Sequence, residues 1–254
     1  MFDVLLDLSP LSFALALGVA FIAGVVKGVV GFAMPMIIIS GLSSVVSPTL
    51  ALAGLILPTL VTNGMQALRQ GPQAAAETTN RFRLFLTVGL VALLASSQLV
   101  VVIPADTLLL AIGIPVVLFA VLQLIGWVPT RVTATPRLEA AVGGFAGFIG
   151  GISGVWGPPV VSYLTALGTE KTEQMRIQGV VYGLGAVGLA VAHTVSGILT
   201  LATAVFSALL IPPAVLGMWL GGKLQDRIDQ RAFRKATLIV LIVAASNLIR
   251  RGLV

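Results

Sequence analysis

The chain has 254 residues, 57% of them apolar, with 15 basic and 9 acidic side chains. A soluble domain charges about a quarter of its positions, so a chain charged at 9% could not cover a water-facing surface. Composition therefore excludes a soluble enzyme, a nucleic-acid reader and a peripheral amphipathic protein, and it predicts a polytopic helical membrane protein.

The charges are clumped. Stretches 8–26, 28–68, 84–105, 107–130, 140–169 and 177–222 contain none, and most exceed the ~20 helical residues that cross a hydrocarbon core. The excess of six positive charges sits in the connections, as expected where Lys and Arg mark cytoplasmic loops. Zero Cys excludes a disulfide framework and thiol chemistry. Residues Met1 to Asp7 carry two acids and no base, so no positive signal-peptide n-region is expected there.

In chain order, Pro, Gly and charge divide the sequence into apolar segments at 11–32, 34–46, 49–68, 83–103 and 106–127, then 138–156, 158–168, 172–196, 199–222 and 232–249. This predicts an all-α fold of about 8–10 hydrophobic helical segments. Segments 34–46 and 158–168 are too short to span at ~1.5 Å per residue. Each follows a glycine cluster and starts beside a proline, which predicts two broken or re-entrant helices.

A constant shift of 123 residues superimposes Gly24, Gly28, Gly31 and Pro35 on Gly147, Gly151, Gly154 and Pro158, and Asp106 on Asp229. The spacing predicts one transmembrane domain made of two repeats, about 11–127 and 138–254, with a cytoplasmic linker at 128–137. Equivalent loops differ in charge. Loop 69–83 carries Arg69, Arg81 and Arg83, whereas its counterpart near Gly197 is uncharged; turn 104–106 has Asp106 alone, whereas 223–235 carries five bases. Opposite charge in equivalent loops predicts inverted repeats, the architecture of secondary transporters, although Arg250 and Arg251 then fall on the outer side.

The two copies read GVVKGVVGFAMP (24–35) and GFIGGISGVWGP (147–158), and the second is followed by TEQMRIQG (172–179). In these motifs, and in length and two-half layout, the chain resembles the sulfite exporter TauE/SafE family of membrane permeases. Val29, Val30, Phe32 and Ala33 interrupt the run of glycines that family members often show before the first proline. The resemblance implies transport of small anions such as sulfite, sulfoacetate or other sulfonates across a bacterial inner membrane.

A helix restarting at Pro35 or Pro158 offers unpaired N–H groups and a positive dipole end to an oxyanion. Gly31, Met34 and Pro35 of the first copy, and Ser153, Trp156, Gly157 and Pro158 of the second, are the candidate lining. The plainer role of these glycines is close helix packing. Lys27 is the only charge between Asp7 and Arg69. An intramembrane Lys costs about 2.5–3.5 kcal/mol on insertion scales, so it is either a cavity cation facing the anion or a Lys that snorkels to the interface. Arg176 and Gln178 open the segment after the second break. Arg forks two N–H bonds to a sulfonate, or else anchors at the interface beside Glu173. His193, the single histidine, is a candidate proton relay or a half of an interhelical hydrogen bond.

Two rivals share these residues. A channel would bind the anion without alternating access. Gly151-Ile152-Ser153-Gly154 with His193 matches a serine-protease dyad in composition, but it aligns with the packing motif Gly28–Gly31 in the other repeat. No cofactor, metal cluster or P-loop is expected. The expected partners are the anion, the bilayer and a coupling H⁺ or Na⁺; a homodimer is compatible with the composition, and nucleic acid is not.

Overall fold

The computed structural model describes residues 9–97, 105–126, 132–153, 157–195 and 197–253, and every regular element in them is a helix. The helices are α1 (Pro10–Val30), α2 (Met34–Leu42), α3 (Pro48–Leu68), α4 (Pro72–Arg81), α5 (Arg83–Ser97), α6 (Ala105–Leu124), α7 (Pro136–Ser153), α8 (Gly157–Ala166), α9 (Lys171–Val195), α10 (Leu201–Leu209), α11 (Ile211–Arg227) and α12 (Gln230–Leu253). Five stretches among the described residues are long and apolar enough to cross a membrane, with α10 and α11 together forming one of them; a sixth arises if the bent pair α4 and α5 counts as one span. The expected polytopic helical class is what the chain adopts.

Boundaries follow local chemistry. Ser9 and Ser47 accept hydrogen bonds from the amides of Ser12 and Leu50, capping α1 and α3 ahead of prolines in the first turn. The expected short segments appear as α2, nine residues, and α8, ten residues. Two elements differ from expectation. The basic connection 69–83 contains a helix, α4, set at 73° to α5. Segment 199–222 is divided at Leu210, immediately before a helix that opens Ile211-Pro212-Pro213. Two successive prolines remove two donors, so the preceding helix cannot run through with its ladder intact.

Contacts gather the helices into two units. One contains Met1–Gly71 and Met175–Asp229, the other Pro72–Gln174 and Gln230–Val254, so each draws on both halves of the sequence. In the first unit α1 lies along α11 at backbone contact. A Cβ on Gly24 would sit 2.2 Å from Ala214 O, one on Gly28 2.3 Å from Met218 O, and those on Gly217 and Gly221 2.1 Å from Phe21 O and Val25 O. Hydrogen is the only side chain these positions admit. Ala16, Ala20, Ala23, Ile38, Leu55 and Phe206 form the adjoining core.

The second unit repeats the device with α5 and α7: a Cβ on Gly147 would lie 2.0 Å from Gly89 O and one on Gly143 2.7 Å from Phe85 O. Glu139, in the first turn of α7, accepts the Phe85 amide at 3.3 Å and so caps α5. Tyr163 of α8 stacks on Phe85 with ring centroids 6.3 Å apart.

Large apolar side chains stand outward along the long helices, among them Leu90, Val91, Leu94, Val187, Val191, Leu216 and Val243. Water would not tolerate that much contiguous apolar surface; a bilayer solvates it at no cost. Lys223 places its amine 3.5 Å from the Trp219 ring centre, a cation–π pair of the kind that anchors a helix at the interface.

Candidate functional site

The first unit holds the break between α1 and α2. Gly31 ends α1 in the left-handed region at φ 85°, and its amide returns to Lys27 O. Ala33 follows at φ 70°, the only left-handed non-glycine among the described residues, and starts α2 without any side-chain cap. A Cβ in that region costs of order 1–2 kcal/mol. The amides of the first turn of α2 therefore have neither an intrahelical acceptor nor a cap, apart from Ile37, which bonds Ala33 O.

One stretch of α3 is lashed across this break. Thr62 donates to Met34 Sδ at 3.3 Å, Asn63 accepts from the Lys27 amine, and Gln66 donates to Gly31 O at 3.2 Å and to Met175 O at 2.7 Å. Asn63 also donates to Tyr182 O at 3.2 Å, which ties α9 into the same cluster. From α9, Gln178 turns its amide nitrogen to Gly31 O at 3.2 Å and Val30 O at 3.1 Å. The last carbonyls of α1 are thus satisfied by two side-chain amides rather than by water. Lys27, Thr62, Asn63, Gln66 and Gln178 are all buried in this cluster.

Lys27 is 1% exposed, so it does not snorkel. Its amine has one protein hydrogen bond, to Asn63, out of three donors. It lies in the last turn of α1, where the negative end of the helix dipole favours a cation. The Gln66 carbonyl oxygen and the Thr59 hydroxyl, both buried, have no partner at all. A buried cation with spare donors, beside an uncapped helix N-terminus, is chemistry suited to an anion.

The remaining candidates divide by location. Gly31, Met34, Pro35 and Gln178 share the break with Lys27. Arg176 does not: two residues before Gln178 it points about 200° away around α9, and it donates to Gln70, while Glu173 pairs with Arg81. Its expected partner Glu173 is thus engaged elsewhere. His193 stands half-buried in the last turn of α9, about 22 Å along the axis from Gln178. Gly157 and Pro158 open α8 in the second unit, where Pro158 is buried. Trp156 and the Ser153 side chain lie outside the described residues.

Gly24 and Gly28 prove to be packing glycines, whereas Gly31 is the break itself, although the three share one helical face in sequence. Gln66 caps α1 and Asn63 holds Lys27. Thr62 had no sequence signal. The glycines Gly217 and Gly221 that receive α1 did have one, a four-residue small-residue spacing.

No curated protein and no solved structure matches the chain. The sulfite exporter TauE/SafE family matches residues 16–248, nearly its whole length. That family comprises membrane transporters of sulfite and related anions, so anion and lipid are the partners and transport rather than catalysis is the family's activity. The apolar helices, the broken α1–α2 pair and this match agree: the chain is a multi-pass membrane protein of the sulfite exporter TauE/SafE family.

Proposed function

We propose that the protein is a secondary transporter that moves sulfite, sulfoacetate or another organosulfonate across the bacterial inner membrane by alternating access. Lys27 carries this reading: a wholly buried cation with one protein hydrogen bond beside an uncapped helix start. In the proposed cycle the anion takes the spare donors of Lys27 and the first-turn amides of α2, around Gly31, Met34 and Pro35. The equivalent break at Ser153, Trp156, Gly157 and Pro158 offers the anion matching contacts in the other repeat, with Arg176 collecting anions at the basic end and His193 serving a coupling proton. H⁺ or Na⁺ coupling and a homodimer belong to the same proposal.

Two inverted repeats are proposed as the frame. Their support is the recurrence of one packing device: shifted by 123 residues, Pro10–Val30 falls on 133–153, covering α7, and Arg83–Ser97 falls on 206–220, within α10–α11. The glycine-stepped pairs α1–α11 and α5–α7 are therefore equivalent pairs, each made from one helix of either half. Inverted repeats supply the two related conformations that alternating access needs.

Counterflow of labelled sulfite, sulfonates and carboxylates in reconstituted vesicles tests the substrate. Lys27→Ala is expected to lower anion counterflow at least tenfold while the helical circular dichroism is retained; unchanged counterflow rules out the site. Ser153→Ala removes one lining hydroxyl and is expected to weaken counterflow without abolishing it, whereas a serine nucleophile would lose all activity on that change.

A further inference from the structure

The second unit carries a cavity that the transport site does not use. Its volume is about 460 Å³, and it lies between the end of α8, the turn 167–170, the first turn of α9 and the first two turns of α12. That volume falls within the ~300–1,000 Å³ of small-molecule pockets and equals roughly fifteen waters at ~30 Å³ each. A bare four-atom sulfite would leave most of it empty.

The lining has one sign of charge. Arg231 and Arg234 border the cavity, and no carboxylate does. Three acids adjoin lining residues in sequence, Glu170, Glu173 and Asp229, and none of them borders the cavity. Glu170 serves the start of α9, accepting from the Thr172 amide at 3.1 Å, the Thr172 hydroxyl at 3.0 Å and the Glu173 amide at 3.3 Å, and Glu173 pairs with Arg81. Deeper in the wall, the hydroxyls of Thr165 and Thr237 are buried without any hydrogen-bond partner. Thr237 is wholly inaccessible as a residue, and Thr165 nearly so. The Gln174 carboxamide, also buried, makes no hydrogen bond within the protein. Each unpaired buried polar group costs about 1–3 kcal/mol, so two orphan hydroxyls in one wall are unexplained by packing.

The frame is preset. Gln230, the first residue of α12, accepts the Lys171 amide at 2.8 Å and donates to Thr169 O at 3.2 Å, stapling the α12 start to the turn before α9. Phe233 and Leu167 supply apolar wall.

We propose that this cavity is an accessory binding site for a small organic anion whose tetrahedral oxyanion head, a sulfonate or phosphate group, is held by Arg231, Arg234, Thr165, Thr237 and Gln174. Two guanidiniums give charge and forked donors, the hydroxyls and the amide complete the shell, and the apolar wall takes the organic body. The site belongs to the second unit alone and is separate from Lys27.

The test uses the full-length Lys27→Ala protein in detergent, so that the transport site is silent. Sulfoacetate and glycerol 3-phosphate are titrated calorimetrically as soluble probes, and short-chain phosphatidylglycerol as the lipid probe. One saturable site per chain is expected. Adding Arg231→Gln and Thr237→Val weakens it at least tenfold, and Gln174→Glu, which places a carboxylate in the wall at nearly constant volume, abolishes it. Binding of the soluble probes identifies a free solute as the occupant; binding of the lipid alone, lost in the same variants, identifies a headgroup. No saturable binding of any probe, or binding indifferent to Gln174→Glu in a protein of unchanged helicity, overturns the proposal. Failure of transport in vesicles leaves this measurement untouched, so the two readings fail separately.

Discussion

At the residue scale, Lys27 and Asn63 are one unit of chemistry. The amine is the donor and the amide oxygen the acceptor, both buried, so neither can be changed alone without leaving the other exposed to its desolvation cost. Asn63→Asp converts the hydrogen bond into an ion pair. It is expected to keep the fold and lower anion counterflow at least tenfold, because the carboxylate neutralises the cation that the substrate needs. Asn63→Leu leaves the Lys27 amine without its hydrogen-bond acceptor and is expected to destabilise by about 1–3 kcal/mol, read as a loss of Tm and of detergent-solubilised yield. Retained counterflow in Asn63→Asp would show that Lys27 does not carry anion binding. Ala33 makes the opposite point. Its φ of 70° suits glycine, so Ala33→Gly is expected to hold Tm or raise it by the equivalent of about 1 kcal/mol, whereas Gly31→Ala, also left-handed, lowers it. A Cβ on Gly31 would additionally fall 1.8 Å from the Gln178 carboxamide that closes the helix end.

At the element scale, what distinguishes these helices is how closely they approach. Gly24, Gly28, Gly217 and Gly221 bring α1 and α11 to backbone contact, and Gly89, Gly143 and Gly147 do the same for α5 and α7. In a bilayer no hydrophobic force separates protein-facing from lipid-facing leucines, so such contacts supply much of the specificity. Gly147→Ala meets a carbonyl rather than a flexible side chain, and nothing there gives way cheaply. A loss of about 1–3 kcal/mol is expected, measured as a drop in Tm. Gly188→Ala is the control: open space surrounds that position, so no comparable loss is expected. The short helices α2 and α8 were legible from proline after glycine at a length too short to span. The kinked start of α11 was legible only in part, since Pro212-Pro213 stood inside an apolar run that otherwise reads as one helix.

At the scale of the whole molecule, charge placement predicts topology. The absence of cysteine makes the test direct. Single cysteines at Gln73 and Ala232 are expected to react with an impermeant maleimide from the cytoplasmic side, and one at Leu201 from the opposite side. All three positions are exposed. Labelling of Gln73→Cys and Ala232→Cys from opposite sides would refute the inverted arrangement of the loops. Within the first unit, Arg69 pairs with Asp226 at 2.6 Å and donates to Gln225 at 3.2 Å, so the ends of α3 and α11 that carry basic connections lie together. That agreement between charge and contact is what the positive-inside rule requires of two helices ending on one side.

The sequence by itself determined the solvent of this protein, the existence of nearly every helix, the two short broken ones, the duplicated glycine–proline motif and the family. Those follow from hydropathy, charge sparsity and covalent limits on the backbone, all of which are local. Only the tertiary structure decided which small residues pack and which break a helix, that Lys27 is sealed with Asn63 rather than snorkelling, that Arg176 faces Gln70 away from the break, and that each unit borrows helices from both halves. Apolar periodicity is nearly silent in a bilayer, where both faces of a helix are greasy, and hydrogen bonds between residues 36 to 119 positions apart leave no mark in local sequence.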